Sequence, residues 1–190
     1  MSLVIFVEEP SMEAMLRGLM PSIGLDLSRV TIIAHQGVSD LESSLPRKLR
    51  SWKDQNAYFL IMRDNDRGNC EARKAKLLAI AEAAGKAERT VVRIVCQELE
   101  AWFLGDPVAL EKANYISVGR RPNVLRCDPD NVQHPADAIK RLIANYQKVQ
   151  GAQTISSFLN PDDNRSKSFL HCVATLRHFH AKICGNSNTK

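Results

Sequence analysis

The chain has 190 residues, 44% of them hydrophobic and 25% charged, with a formal net charge of +5. These figures fit one globular domain, or one domain with a modest extension, and exclude disordered and fibrous classes. No apolar run approaches the roughly 20 residues that a membrane-spanning helix needs, so no membrane partner is expected.

The opening MSLVIFVEEP has neither a basic leader nor a small-residue cleavage site, so it predicts a first strand at residues 3–7 rather than a signal peptide. Met12, Met15, Leu16 and Leu19 then recur at helical spacing behind a candidate Ser11 cap. Residues 30–34, VTIIA, form a second β-branched run. The following SDLESSLPRKLRSW predicts a helix in two pieces, because the interior Pro46 breaks the hydrogen-bond ladder. Residues 58–62 read as a third strand, 70–84 as a helix with Leu77, Leu78, Ala81 and Ala84 on one stripe, 91–96 as a fourth strand and 98–110 as a fourth helix.

Four such βα units imply a parallel four-stranded sheet flanked by helices, since parallel strands need crossover connections. Continuous apolar strands, rather than alternating ones, fit burial on both faces. This α/β unit is expected to span residues 1–114. Beyond it, residues 115–190 predict a loop at 119–135 and helices at 136–147 and 166–183, a C-terminal extension packed on the same domain that helps form the site or contacts a partner. The closing GNSNTK is expected to fray. The cysteines, Cys70, Cys96, Cys127, Cys172 and Cys184, are odd in number and lack metal spacing, which predicts free thiols in the reducing cytoplasm.

In an open parallel sheet, sites form outside the carboxyl ends of the strands. Each predicted strand ends in useful chemistry: Glu8 and Glu9, then His35 and Gln36, then Asp64 and Asp66, then Glu98 and Glu100. If the chain stays extended past Met62, Asp64 and Asp66 point to one side. Two carboxylates so placed repel unless a cation lies between them, and oxygen ligands suit Mg²⁺ or Mn²⁺. A solvated turn with a helix cap explains the same pair of acids.

At these residues the sequence resembles known families. VEEPSMEAML is similar to the VEG-x-T/S-E opening of Toprim domains, and RDND after the third strand resembles their DxD motif. The whole chain resembles the DUF4276 family through HQGVSDL at 35–41 and RIVCQELEAWFLGD at 93–106. The resemblance implies a Toprim-like, Rossmann-like fold. Toprim domains of topoisomerases, primases and nucleases of the OLD (overcoming lysogenization defect) type use these acids to bind Mg²⁺ for phosphodiester chemistry.

Carried over by motif, Glu8 is the glutamate of the opening, Asp64 and Asp66 are the metal-binding pair, and Glu13 is similar to a further metal ligand of the OLD-type nucleases. Glu9 departs from the pattern, standing where glycine is usual. On this reading Glu8 acts as a ligand or general base, Glu98 or Glu100 serves a second ion, and Lys167 in NRSKSF stabilises transition-state charge. DNA or RNA is the implied substrate, phage defence the implied setting and an ATPase the implied partner.

Other readings stand beside these. Leu99, Trp102 and Phe103 form a buried stripe that explains much of ELEAW by packing, and Glu98 and Glu100, two apart on a helix, cannot both face one ion. His35 fits either acid–base chemistry or a hydrogen-bonded turn, and His171, His178 and His180 lack the spacing of a metal pair. The basic runs PRKLRSWK and GRRPNVLR are nucleic-acid tracks or solvated faces. Three functions follow: a metal-dependent nuclease, a catalytically weak module that binds a partner ATPase, or an unrelated nucleotide-binding α/β protein. The last is disfavoured because no Gly-rich phosphate loop follows any strand.

Overall fold

The computed structural model describes residues 1–120 and 122–184; Arg121 of the second basic run and the GNSNTK segment lie outside the described residues. Four parallel strands, β1 (Leu3–Val7), β2 (Val30–Ala34), β3 (Tyr58–Asp64) and β4 (Thr90–Val95), make one sheet in the order β2-β1-β3-β4. The expected α/β sheet is present, with β3 two residues longer than its apolar run because Arg63 and Asp64 continue the ladder beside Ile94 and Val95.

Side chains alternate across the sheet and build a core on each face. Leu3, Ile5, Val7, Leu60 and Met62 point to one face, covered by α1 (Pro10–Leu19) and by the helices after β4. Val4, Phe6, Phe59 and Ile61 point to the other, covered by α2 (Val38–Ser51) and α3 (Cys70–Ala83). Helix α2 is one piece, not two. Pro46 sits inside it, and the buried row Leu41, Leu45 and Leu49 holds both halves on the sheet despite the missing N–H. Ser11 is not the cap of α1. Glu9 holds that place, Pro10 is the first helical residue, where its missing N–H costs nothing, and Ser11 is buried within the helix.

The region after β4 departs most from the pattern. The expected helix at 98–110 is two short helices, α4 (Glu100–Leu104) and α5 (Pro107–Lys112), because Asp106 caps a new start with its carboxylate on the Ala109 N–H. The loop at 119–135 contains two short 3₁₀ turns, Asn123–Leu125 and Pro129–Asn131. Helix α6 (Pro135–Leu142) ends earlier than expected, and an unanticipated α7 (Lys148–Ser156) follows before α8 (Lys167–Cys184).

Helix α7 packs against α1 at very close range. An added Cβ on Gly18 would lie 1.9 Å from Ser156 Oγ and 2.9 Å from Ser156 Cβ. Alanine gains up to about 1 kcal/mol over glycine in a helix interior, but overpacking of a fixed contact costs about 1–3 kcal/mol. Gly18→Ala is therefore expected to lower Tm, and Ser156→Gly in the same chain to restore it. Equal Tm values for Gly18→Ala and the parent would refute the close packing.

Candidate functional site

The chain leaves β1 toward β2 on one side of the sheet and returns as β3 on the other side of β1. The crevice outside the carboxyl ends of β1 and β3 is thus the topological switch point, where ligands of such sheets bind. Glu8 follows β1 and Asp64 ends β3, so the two acids flank that crevice. Glu8 Oε2 accepts the backbone N–H of Asp64 at 3.0 Å, which joins the two strand ends. Asp64 shares the parity of Leu60 and Met62 and is 3% exposed; its Oδ1 has no hydrogen-bond partner among the described residues.

Arg63 has the opposite parity and organises the other side of the crevice. Its buried guanidinium donates to Glu42 Oε1 at 3.1 Å and to the Asp64 carbonyl at 3.1 Å, and lies 3.8 Å from both Glu8 and Asp66. Arg73 donates a further bond to the Asp64 carbonyl at 3.3 Å, and Lys76 completes the pairing of Glu42.

Three residues from later in the chain join this cluster. Glu100, the first residue of α4, is 0% exposed; its Oε1 accepts the Tyr146 hydroxyl at 3.4 Å, and its Oε2 lacks a partner among the described residues. Lys148, the first residue of α7, forms an ion pair with Glu9. Gly151 makes room for Tyr146, since a Cβ there would lie 2.1 Å from the phenol ring.

The electrostatics follow from burial of like charges. Burial, then the charges of Glu8, Glu100 and Glu9, hold the Asp64 carboxyl well above the usual carboxylate range, with Lys148 acting in the opposite sense. Burial also raises Glu8, although the Asp64 N–H and Arg63 counter it, and raises Glu100 against the pull of Lys148. The Tyr146 phenol is pushed up by burial and by Glu100 beside it, so it stays a proton donor. Lys148 remains firmly cationic: burial works against its charge, but the hydrogen bond to Glu9 and the fields of Glu100 and Glu9 outweigh it.

The remaining residues singled out in the sequence are placed elsewhere or held by other partners. Asp66 does not continue the strand. It sits in a left-handed turn, φ 43°, with its half-exposed carboxylate near Arg63 and Arg73, so it does not point alongside Asp64. Glu98 precedes α4 and accepts the Ala136 N–H at 2.7 Å, capping the start of α6. Glu13 pairs with Arg17 at 2.8 Å on α1. Lys167 opens α8, exposed, in a groove beside β4. His35 is a hydrogen-bonded turn histidine: its Nδ1–H donates to the Val7 carbonyl and its Nε2 accepts from Lys48, both at 2.7 Å, and burial lowers its pKa.

Tyr146 and Lys148 are the site residues the sequence reading did not single out for chemistry. Tyr146 carried one signal, a phenol on an apolar stripe, which when buried needs a partner for its O–H. Lys148 carried none that a local pattern reveals. A cation in a first helical turn opposes the helix dipole, and only the nearby acids account for it there.

For an oxygen-binding divalent cation the donor set fits in chemistry, with two buried carboxylate oxygens lacking other partners. Among the described residues, however, no three His, Cys, Asp or Glu side chains are grouped as a ready-made cage.

Comparison with known proteins extends the description. The fold is similar to the C-terminal region of the Xanthomonas campestris pv. campestris OLD protein, with a TM-score of 0.58 at 19% identity over 95% of this chain and 96% of that one. The C-terminal region of the Burkholderia pseudomallei OLD protein gives the same TM-score of 0.58 at 15% identity, over 94% of this chain and 98% of that one. No curated protein matches the chain. The model of a domain of unknown function, DUF4276, matches residues 7–177, so the chain belongs to the DUF4276 family.

Proposed function

We propose that this protein is a Toprim-type phosphodiesterase acting on nucleic acid with Mg²⁺ or Mn²⁺, in the phage-defence setting that its motifs imply. The observation that carries this reading is the pair of buried carboxylate oxygens without partners among the described residues, Asp64 Oδ1 and Glu100 Oε2, in one cluster with Glu8 and Glu9. Concentrating buried carboxylates is costly unless a cation compensates them. A sheet needs no such cluster for its own stability.

Glu8, Asp64 and Glu100 would hold the ion, and Asp66 and Glu13 would join only after leaving their arginines. A divalent ion bound there supplies water activated near neutral pH and counter-charge for a phosphoryl group. Where Asp64 and Glu100 hold the ion without it, Glu8, whose pKa burial raises, is the candidate to take a proton. The Tyr146 hydroxyl orients Glu100, and the Lys148 ammonium can meet negative charge developing on phosphoryl oxygens.

The test is a calorimetric titration with Mn²⁺, followed by hydrolysis of DNA and RNA oligonucleotides. The parent chain is expected to bind Mn²⁺, and Asp64→Asn/Glu100→Gln, checked for folding by circular dichroism, to lose binding and cleavage together. No Mn²⁺ uptake by the parent would refute the reading. One observation favours a second: the acids form no ready cage, and Glu9 and Lys148 already neutralise each other. In that case the domain acts through a partner ATPase, and neither Mn²⁺ binding nor cleavage is seen without the partner.

A further inference from the structure

Strand β4 is an edge of the sheet, and a groove of about 320 Å³ runs along it between α3 and α8. The floor is β4 itself. The walls carry Lys74 from α3 and Lys167 and His171 from α8, all exposed, with Arg93 rising from the floor. Thr175 Oγ1 accepts Arg93 Nε at 2.6 Å and so restrains that guanidinium. Among the described residues Asp130 is the one acid lining the groove, and it is already engaged. It accepts the Ser166 hydroxyl at 2.6 Å, the Ser168 N–H at 3.1 Å and the Ser168 hydroxyl at 3.3 Å. Among the described residues neither Lys74 nor Lys167 has a carboxylate partner, so the groove keeps a net positive charge.

The carboxyl end of β4, where the groove's Cys96 lies, is tied by backbone hydrogen bonds to the turn that follows Asp64. Asp66 donates its N–H to the Gln97 carbonyl at 2.9 Å, and Asn65 to the Val95 carbonyl at 3.0 Å. Cys96, which lines the groove, lies between those two acceptors in the chain. The basic run on α2 has no such position. None of its residues lines the groove, and its Lys48 is taken by His35.

We propose that the β4 groove, through Lys74, Arg93, Lys167 and His171, binds the sugar–phosphate backbone of the nucleic acid strand that leads to the acid pocket. This rests on the nucleic-acid reading above and adds the track that the strand follows. Backbone recognition of this kind is electrostatic and sequence-independent, so it weakens as salt rises, with a slope of roughly 0.7 per phosphate contact on single strands and 0.9 on duplexes.

The experiment is fluorescence anisotropy of the full chain in EDTA, where no cleavage occurs, with one labelled sequence as single-stranded DNA, as RNA and as duplex DNA over a salt series. Lys74→Glu/Lys167→Glu is expected to weaken binding by about tenfold or more at low salt and to flatten the salt slope by about one to two contacts. The neutral pair Lys74→Gln/Lys167→Gln should change both in the same direction by less. Arg47→Glu/Arg50→Glu on α2, an equal change of net charge, should alter affinity by no more than about threefold. Circular dichroism checks each fold, and the probe bound best assigns DNA or RNA. Equal losses from the groove and α2 pairs, or a groove pair that binds like the parent, would overturn the track. A parent that binds none of the probes would overturn both the track and the nucleic-acid substrate. Mn²⁺ calorimetry judges the metal reading separately, and groove-dependent binding without Mn²⁺ uptake would leave the track standing alone.

Discussion

Asp64→Asn is expected to make the cation-free protein more stable at neutral pH. The carboxyl is buried, and Glu8, Glu100 and Glu9 add to the cost of ionising it. Its folded pKa is therefore raised above the unfolded value, so the stability it contributes is full below the unfolded pKa, near 3.8, and is lost as pH rises through the folded pKa. At neutral pH in EDTA the wild-type chain carries that cost, and asparagine, of nearly the same shape, removes it. The gain should be about 1–3 kcal/mol, the usual range for relieving an uncompensated buried polar group. That corresponds to roughly 2–4 °C in Tm per kcal/mol for a domain of this size. The advantage should shrink as pH falls toward the unfolded pKa. Saturating Mn²⁺ should reverse the ranking at neutral pH by stabilising only the parent chain. Thermal melts of both proteins at two pH values, with EDTA and with Mn²⁺, provide the check. A variant less stable than the parent at neutral pH in EDTA would mean that Asp64 is compensated in some other way.

Arg63→Met should have the opposite sign and the larger effect. The guanidinium is almost fully buried and serves Glu42, Glu8, Asp66 and the Asp64 carbonyl together. Methionine keeps much of the volume but leaves the part-buried Glu8 without Arg63, while Lys76 still serves Glu42. Breaking a buried pair by removing one partner costs about 3–5 kcal/mol. Tm should then fall by on the order of 10 °C. Arg63→Lys should recover only part of the loss, because a single ammonium cannot reproduce the planar fork that reaches several acceptors. Chemical denaturation with unchanged m-values would measure this directly. A loss under about 1 kcal/mol would show that the acids on this side are held by solvent rather than by Arg63.

The fold was legible in the sequence where local pattern and tertiary role coincide. The runs LVIFV, fully buried, and VTIIA, an edge strand, occur at the predicted residues. In β3 the apolar run stops at Met62 but the strand does not, because Arg63 and Asp64 are buried by partners that hydropathy cannot register. Pro46 misled for a related reason: the leucine row packed on the sheet outweighs a missing hydrogen bond. Helix α7 has no strong apolar stripe and contains a glycine, and it exists because α1 offers a surface into which small residues fit.

The same division runs through the candidate site. Placing acids at strand ends anticipated that Glu8, Asp64 and Glu100 lie close together, since topology brings the carboxyl ends of neighbouring parallel strands together. Asp66 and Glu98 stand at strand ends too, but a left-handed turn carries one outward and a helix start claims the other. Lys148 meets Glu9 across 139 positions, and no spacing rule reaches that far.

That separation also sets an order on biosynthesis. Chains emerge from the ribosome N-terminus first, and long-range contacts must wait for both partners. All four strands are complete by Val95, so Glu8, Glu9 and Asp64 can be gathered before Tyr146 and Lys148 have been translated. During that interval the nascent sheet holds its acids together without the ammonium that later answers them. Arrival of α7 is therefore an electrostatic event as well as a packing one: Lys148 brings positive charge to Glu9 and partly offsets the field at Asp64.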